Sequence, residues 1–178
     1  MDIHVWLTEL NPPPINTILE HHLRASQIQV RKAPGGKPYL HGRHEAISIS
    51  HCLPYTALAI ADTTQIGIDL ERCHNLTPED ILLAASFYTD DEATATNQDP
   101  SGWHFYKLWT AKEAHLKATG QGITNGLSMS RFYERATDWI TTDLSWKITH
   151  LQPLLTHILA VAYPSNLQPT ILLYKESI

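Results

Sequence analysis

The chain has 178 residues, of which 43% are hydrophobic and 17% are charged, and its formal net charge is −5. This length suits one globular unit or two small halves packed together, and the negative charge argues against a general nucleic-acid-binding protein. There is no basic leader before a long apolar run and no apolar run as long as a membrane span, so we expect a soluble, cytoplasmic protein without a membrane partner.

The first part of the chain alternates between strand and helix patterns. Residues 2–8 alternate as a strand does, residues 15–26 have apolar side chains at helical spacing, and residues 27–32 alternate again. The Asn-Pro-Pro-Pro segment at 11–14 predicts a stiff turn, and Pro34-Gly-Gly predicts a loop that presents Lys37.

Basic residues are concentrated between positions 24 and 44. Five of the 13 Lys and Arg residues of the chain lie there, and no Asp or Glu does. This stretch is either a solvated basic face or a local phosphate-binding patch. The basic residues are Arg24, Arg31, Lys32, Lys37 and Arg43.

The middle of the chain predicts paired strands at 46–50 and 55–61 and a further strand at 66–71. Side chains alternate across a strand, so Ile66, Ile68 and Leu70 face the core and Gly67, Asp69 and Glu71 face the other way. Two carboxylates about 7 Å apart repel each other unless they are solvated or bridged by a cation such as Mg²⁺. Gly67 would leave room for a ligand beside them. The alternative is a solvent-facing strand edge with two exposed acids.

Helix starts are predicted at Thr77 and Thr89, each followed three residues later by an acidic residue as in a capping box. The acid run at 90–92 is therefore explained by capping and the helix dipole. Two cysteines, Cys52 and Cys73, make neither a disulfide framework nor a zinc pattern, and we expect both to be reduced thiols.

Residues 103–122 predict one long helix, with Asp99 as its cap, Pro100 at its first position and Gly120 at its end. Lys112 lies inside the apolar stripe of this helix, and Glu113 and Lys117 share the neighbouring shoulder. A lysine in a buried stripe either extends its ammonium to water or holds an anionic ligand.

Four short strands follow, near 129–132, 146–150, 157–163 and 170–174, and this order of elements predicts an α+β fold. Residues 49–61 (ISHCLPYTALAIA) are similar to residues 148–162 (ITHLQPLLTHILAVA). The similarity is either chance or the sign of two similar α+β halves with pseudo-two-fold symmetry. For the second case we predict halves at 1–67 and 68–178, in one compact unit, with the active site in the cleft between them.

Five segments carry a family resemblance. GIDLE at 67–71 and WTAKEAHLKATGQGI at 109–123 resemble the two signature motifs of the 4′-phosphopantetheinyl transferases, and GKPYL at 36–40 and ISISH at 47–51 resemble two motifs of the larger, pseudo-dimeric, surfactin-synthetase-activating subclass. FYTDDE at 87–92 is similar to the segment between the signatures. The resemblance implies a Mg²⁺-dependent holo-[acyl-carrier-protein] synthase. It would move the phosphopantetheine arm of coenzyme A to a serine of an apo carrier protein and release adenosine 3′,5′-bisphosphate. We expect such an enzyme to be a monomer.

The resemblance also assigns roles to single residues. It implies that Asp69, Glu71 and Glu113 bind the metal and that Glu113 is the general base for the serine hydroxyl. Lys117 would contact the phosphates of the coenzyme, and Lys112 would bind phosphate or support the site. The remaining coenzyme contacts that it implies are Lys37, Ser50 and His51.

The chain departs from this family in one respect, because larger members have a long basic segment between the first strand and the helix before GKPY. Here only about residues 11–20 fill that interval, so contacts to the 3′-phosphate and adenine are in question. Two other functions stay open, a Mg²⁺-dependent nucleotide phosphohydrolase and a non-catalytic carrier-protein binder. The histidines outside the motifs are expected at the surface: His21, His22, His41, His44, His74 and His104.

Overall fold

The computed structural model describes residues 1–9, 12–122, 127–128, 130–135 and 138–176, and these residues form helices and mostly antiparallel strands. The predicted α+β class is confirmed. The helices are α1 (Ile15–Leu23), α2 (Pro78–Phe87), α3 (Asp90–Asn97) and α4 (Trp103–Thr119). The first sheet has the order β11 (Thr170–Glu176), β1 (Asp2–Thr8), β5 (Tyr55–Ala61), β4 (Ala46–Cys52). The second has the order β6 (Gly67–Arg72), β10 (His157–Pro164), β9 (Trp146–Leu154), β8 (Asp138–Thr141), β7 (Phe132–Arg135), and β2 (Val30–Lys32) pairs with β3 (Pro38–Leu40).

The layers follow from the alternation of side chains along the strands. One core cluster joins the facing sides of the two sheets, with Ile3 and Val5 of β1 meeting Ile68 of β6 and Val161 of β10. The outer side of the first sheet is covered by α1, and the outer side of the second sheet is covered by α4. The order of layers is therefore helix, sheet, sheet, helix.

The same order of elements occurs twice, as the sequence similarity predicts. A strand, a helix and a hairpin are formed by β1, α1 and β4–β5, and again by β6, α4 and β9–β10. In each set the first strand pairs antiparallel with the second strand of the hairpin. The predicted boundary between residues 67 and 68 does not separate the sheets, however, because it falls inside β6 and because β11 pairs in parallel with β1.

The observed start of α4 differs from the predicted one, whereas its end at Gly120 agrees. The helix begins at Trp103 after Gly102, whose φ is 76°, so Pro100 lies before the helix and not at its first position. Asp99 still satisfies a backbone donor at this end, because its carboxylate accepts a hydrogen bond of 2.8 Å from the amide of His104. At the other end Gly120 is the predicted left-handed cap, with a φ of 74°.

Gly67 is closely packed, which corrects the prediction that it leaves room for a ligand. A Cβ at this position would lie 1.9 Å from the carbonyl oxygen of Ala114 and 2.5 Å from the amide nitrogen of Ala118. The missing side chain therefore admits the backbone of α4 against β6. This approach places the α4 side chains beside those of β6.

Several other predictions are confirmed or corrected. Capping boxes at Thr77 and Thr89 are confirmed. Strands β3 and β8 are not among the predicted elements. Part of the predicted turn at 11–14 and the start of the predicted strand at 129–132 lie outside the described residues. Of the histidines expected at the surface, His22 and His104 are half-buried. No helix among the described residues is long and apolar enough to cross a membrane.

His150 on β9 should make the stability of the fold depend on pH. Its Nε2 donates a hydrogen bond of 2.9 Å to the carbonyl oxygen of Lys107 on α4, and burial lowers its pKa from 6.5 to about 4. The unfolded chain therefore takes up a proton at this group first, and the contribution of His150 to stability is lost as the pH falls from 6.5 towards 4. The shift corresponds to at most about 3 kcal/mol.

We expect His150→Gln, which keeps a donor for Lys107, to gain stability relative to wild type by about 1 kcal/mol or more when the pH falls from 7.5 to 4.5. Other groups, such as Glu113, change the stability of both proteins equally, so only the difference between the two proteins reports on His150. Urea unfolding at pH 4.5 and pH 7.5 measures this difference. His41→Gln, at an exposed position, is the control and should follow the wild type. Equal changes in wild type and His150→Gln would contradict the assignment.

Candidate active site

Asp69, Lys117 and Ser50 form a compact polar group where α4 crosses β6. The ammonium of Lys117 donates to Asp69 Oδ1 at 2.6 Å and to Ser50 Oγ at 3.0 Å. Ser50 Oγ in turn donates to Asp69 Oδ1 at 2.9 Å. Asp69 is only 4% exposed. A strand residue, a helix residue and a residue of the other sheet are thus held together by charge-assisted hydrogen bonds.

Glu71 and Glu113 lie near this group, and burial together with the charge of Asp69 raises the pKa of both. Burial, followed by the negative charge of Asp69, raises the pKa of Glu113 from 4.5 to about 7. The same two causes raise the pKa of Glu71 to about 7, and the positive charge of Lys117 and a hydrogen bond with the side chain of Trp109 act in the opposite direction. Acids from β6 and α4 therefore lie close enough for their negative charges to repel one another.

The chemistry of this group fits a hard divalent cation. Asp69 Oδ2 is buried and has no hydrogen-bond partner among the described residues. An unpaired buried carboxylate oxygen is costly, and a cation bound to oxygen ligands would satisfy it. No three His, Cys, Asp or Glu side chains within the described ranges already surround a common metal position. Coordination by Asp69, Glu71 and Glu113 together would therefore require rotamer changes in the glutamates.

A cavity of about 330 Å³ opens next to these residues. It is bordered by the loop before β3, by β4 and by the C-terminal half of α4. The ammonium of Lys37 lies at this cavity and donates to the carbonyl oxygen of Ala118, and burial lowers its pKa. The cavity is therefore lined by one acid, Glu113, and two lysines, Lys37 and Lys117, a combination that suits a metal-bound polyphosphate. Its lining includes Gly35, Gly36, Lys37, Ser48, Glu113, Lys117 and Gly120.

Lys112 does not belong to this cavity. Its side chain is 0% exposed, which excludes the first of the two alternatives, an ammonium that extends to water. The ammonium lies 3.2 Å from the carboxylate of Glu92 on α3, and it donates to the carbonyl oxygen of Ser130. Tyr88 and Phe132 present their ring faces to it. The arrangement gives no support to the predicted phosphate contact by Lys112 and favours a structural role.

Two other predicted coenzyme contacts lie in unexpected surroundings. Ser50 is buried, and its hydroxyl is engaged with Asp69 and Lys117. His51 is exposed, points to the opposite side of β4 from Ser50, and has its Nδ1 2.9 Å from Thr56 Oγ1. Of the basic residues at 24–44, only Lys37 lines the cavity described above.

Sequence reasoning missed Ser48 and the role of Trp109. Ser48 lines the cavity and accepts a hydrogen bond of 3.0 Å from the amide of Ile68. The spacing of Ser48 and Ser50 was a usable signal, because residues two apart on a strand share a face. Trp109, on α4, packs against the core and also hydrogen-bonds to the side chain of Glu71. Classing tryptophan only as an apolar residue overlooks this polar N–H group.

Comparisons with known proteins agree on one family. Residues 65–162 match the model of the 4′-phosphopantetheinyl transferase superfamily. The chain is 38% identical over 106 residues to the 4′-phosphopantetheinyl transferase HetI of Nostoc, an alignment that covers 54% of this chain and 44% of HetI. It is 29% identical over 109 residues to the 4′-phosphopantetheinyl transferase Sfp of Bacillus subtilis, with 59% of this chain and 47% of Sfp covered. The chain thus spans less than half the length of these curated relatives.

Proposed function

This chain belongs to the 4′-phosphopantetheinyl transferase superfamily, and we propose that it transfers the 4′-phosphopantetheine arm of coenzyme A to a serine of an apo carrier protein. The products are the holo carrier protein and adenosine 3′,5′-bisphosphate. The observation that carries the proposal is the convergence of Asp69, Glu113 and Lys117 beside a cavity with further ammonium charge. Phosphoryl-type transfer needs this combination of acids for a cation and cations for phosphate.

In this proposal the residues of the site have three roles, which are phosphate binding, proton acceptance and metal binding. Lys117 and Lys37 neutralise phosphate charge of the coenzyme and hold it in the cavity. Glu113 accepts the proton of the carrier serine hydroxyl, because its carboxylate lines the cavity where the serine and the coenzyme would meet. Asp69 and Glu71, with Glu113, would hold Mg²⁺. When bound there, Mg²⁺ would supply electrostatic stabilisation of the pyrophosphate charge.

The balance of the reaction is that of a substitution at phosphorus. The serine oxygen forms a bond to the phosphorus nearest the pantetheine, and the bond from that phosphorus to the bridging pyrophosphate oxygen breaks. The electron pair leaves with adenosine 3′,5′-bisphosphate, and the serine proton goes to Glu113. Since no covalent enzyme intermediate is needed, positioning and charge stabilisation supply most of the acceleration.

The test is incubation of the 178-residue chain with coenzyme A, Mg²⁺ and a panel of apo acyl, peptidyl and aryl carrier domains. Intact-mass spectrometry should show one carrier gaining the mass of the phosphopantetheine arm, and EDTA should prevent this gain. A carrier whose acceptor serine is replaced by alanine is the control. Release of bisphosphate without modification of any carrier would instead indicate a phosphohydrolase, and carrier binding without turnover would indicate a non-catalytic binder.

The contrast between Lys117 and Lys112 gives a second test of the assigned site. We expect Lys117→Met to raise the KM for coenzyme A by about tenfold or more, because it removes an ammonium from the cavity wall. Lys112→Met should change this KM by less than about twofold. It should instead lower the stability by about 2 kcal/mol, because it leaves Glu92 without its cationic partner.

The two variants are compared by steady-state kinetics with a fixed carrier and by urea unfolding. A KM effect of Lys112→Met as large as that of Lys117→Met would contradict the structural role of Lys112.

The carrier partner is proposed as an acyl, peptidyl or aryl carrier domain of fatty-acid, polyketide or nonribosomal-peptide synthesis.

A further inference from the structure

We propose that Ser48 and Ser50 form a side-chain ladder that joins the two sheets at the edge of the cleft, and that Ser50 is a positioning residue for Asp69 and Lys117. The term serine ladder refers here to these two serines and the two amides that they bind, those of Ile68 and Leu70. The first part of the proposal is independent of the proposed function, and the second part rests on it.

The ladder is formed where two sheet edges meet. In the described strand order, β4 is the last strand of the first sheet and β6 is the first strand of the second sheet. Amides at a sheet edge need partners when they are buried. The amide of Ile68 donates to Ser48 Oγ at 3.0 Å, and the amide of Leu70 donates to Ser50 Oγ at 3.2 Å. Both serines are buried.

The spacing of the rungs follows from the geometry of strands. Ser48 and Ser50 share one face of β4, and Ile68 and Leu70 are likewise two residues apart on β6. A backbone ladder would bring the strands to about 4.8 Å from each other and would close this edge. Here the serine side chains bind the amides in place of a backbone ladder, and Ser48, Glu113 and Lys117 all line the cavity.

The Ser50 hydroxyl also contacts the charged residues of the site and uses its full hydrogen-bonding capacity. It accepts from Leu70 and from Lys117, and it donates its proton to Asp69 Oδ1. A hydroxyl has one donor and two acceptor sites, so all of them are used. Asp69 Oδ1 is thereby bound to Ser50 and Lys117, whereas Oδ2 has no hydrogen-bond partner in the part of the chain that the structure describes. Ser50 thus fixes the carboxylate in the orientation that leaves one oxygen for the cation.

Ser48 provides the matched comparison. It makes the equivalent bond to a buried amide of β6, but it has no hydrogen bond to Asp69 or Lys117 among the described contacts. Removal of either hydroxyl should therefore weaken the ladder by a similar amount. Only the removal of the Ser50 hydroxyl should disturb the carboxylate.

The experiment measures Mn²⁺ binding by electron paramagnetic resonance, without coenzyme or carrier, together with amide hydrogen exchange by NMR. We expect Ser50→Ala to lower the Mn²⁺ affinity by about 10- to 100-fold, the usual range for a residue that orients a metal ligand. Ser48→Ala should change the affinity by less than about threefold, and Ser50→Thr, which keeps the hydroxyl, should restore most of it. Exchange of the Leu70 amide should accelerate in Ser50→Ala, and exchange of the Ile68 amide should accelerate in Ser48→Ala.

The Mn²⁺ affinities test the positioning role of Ser50, and the amide exchange rates test the serine ladder. Equal Mn²⁺ affinities of Ser48→Ala and Ser50→Ala would overturn the positioning role, and unchanged exchange of both amides would overturn the ladder. If Ser50→Ala does not fold, Ser50→Cys replaces it, because the thiol keeps the size but is a weak donor and acceptor. If wild-type protein binds no Mn²⁺, the metal assignment and the positioning role fail, while the exchange rates still test the ladder.

Discussion

Replacement of Glu113 by glutamine is expected to lower kcat/KM for phosphopantetheine transfer by about 10³-fold, the middle of the range for loss of a general acid or base. The amide has nearly the same shape as the carboxylate but neither accepts the serine proton nor carries charge for a cation. Steady-state transfer to one apo carrier, followed by intact-mass spectrometry, measures the effect.

The same substitution should stabilise the cation-free protein at alkaline pH. Because the pKa of Glu113 is raised from 4.5 to about 7, the folded state favours the protonated form, and stability is lost as the pH rises from 4.5 through 7. Glutamine has no such loss. At pH 8 we expect Glu113→Gln to be more stable than wild type by roughly 1–3 kcal/mol, and at pH 4 the difference should vanish.

Both effects are measured against Glu134→Gln, a change at an exposed carboxylate that lies 3.8 Å from the ammonium of Lys107. This control should retain transfer activity and should show no gain in stability at pH 8. Full activity of Glu113→Gln would remove Glu113 from the site. Loss of activity together with lower stability at pH 8 would indicate a structural defect and contradict the buried, repelled carboxylate described here.

Local sequence patterns predicted the parts of the fold that depend on neighbours along the chain. Alternation identified β4, β5 and β6, and the capping boxes located the starts of α2 and α3. The placement of Asp69 and Glu71 on one face of a strand followed from the two-residue period. Their convergence with Glu113 is a prediction from family resemblance, whereas the ion pair of 2.6 Å between Asp69 and Lys117 joins β6 to α4 directly.

Contacts between distant segments could not be read in the same way. Lys112 occupies a helical stripe position that sequence alone cannot distinguish from a ligand-binding one, because Glu92 and Ser130 meet it only in the folded chain. The parallel pairing of β11 with β1 joins the two ends of the chain and has no local signal. Gly67 was interpreted as space for a ligand, whereas tertiary packing uses that space for a helix.

The close approach of α4 to β6 at Gly67 should make substitution of this glycine strongly destabilising, and the site depends on the same distance between β6 and α4. A Cβ at position 67 would overlap the backbone of Ala114 and Ala118, and backbone atoms cannot rotate away as a side chain can. We expect Gly67→Ala to lower the free energy of unfolding by about 3 kcal/mol or more, at the upper end of overpacking effects. Urea unfolding at pH 7.5 measures this change.

Gly67→Ala should also lower the Mn²⁺ affinity of the site. The helix α4 carries Glu113 and Lys117, and it must move away from Asp69 to admit the methyl group. Gly42→Ala separates the packing effect from the usual cost of replacing glycine, since Gly42 has a φ of +73° and nothing within 4 Å of an added Cβ. That control should lose only about 1 kcal/mol, from backbone strain, and should keep its Mn²⁺ affinity. If Gly67→Ala were no less stable than Gly42→Ala, the helix could not be packed against β6 as closely as the structure has it. The alignment of Glu113 and Lys117 with Asp69 would then need another cause.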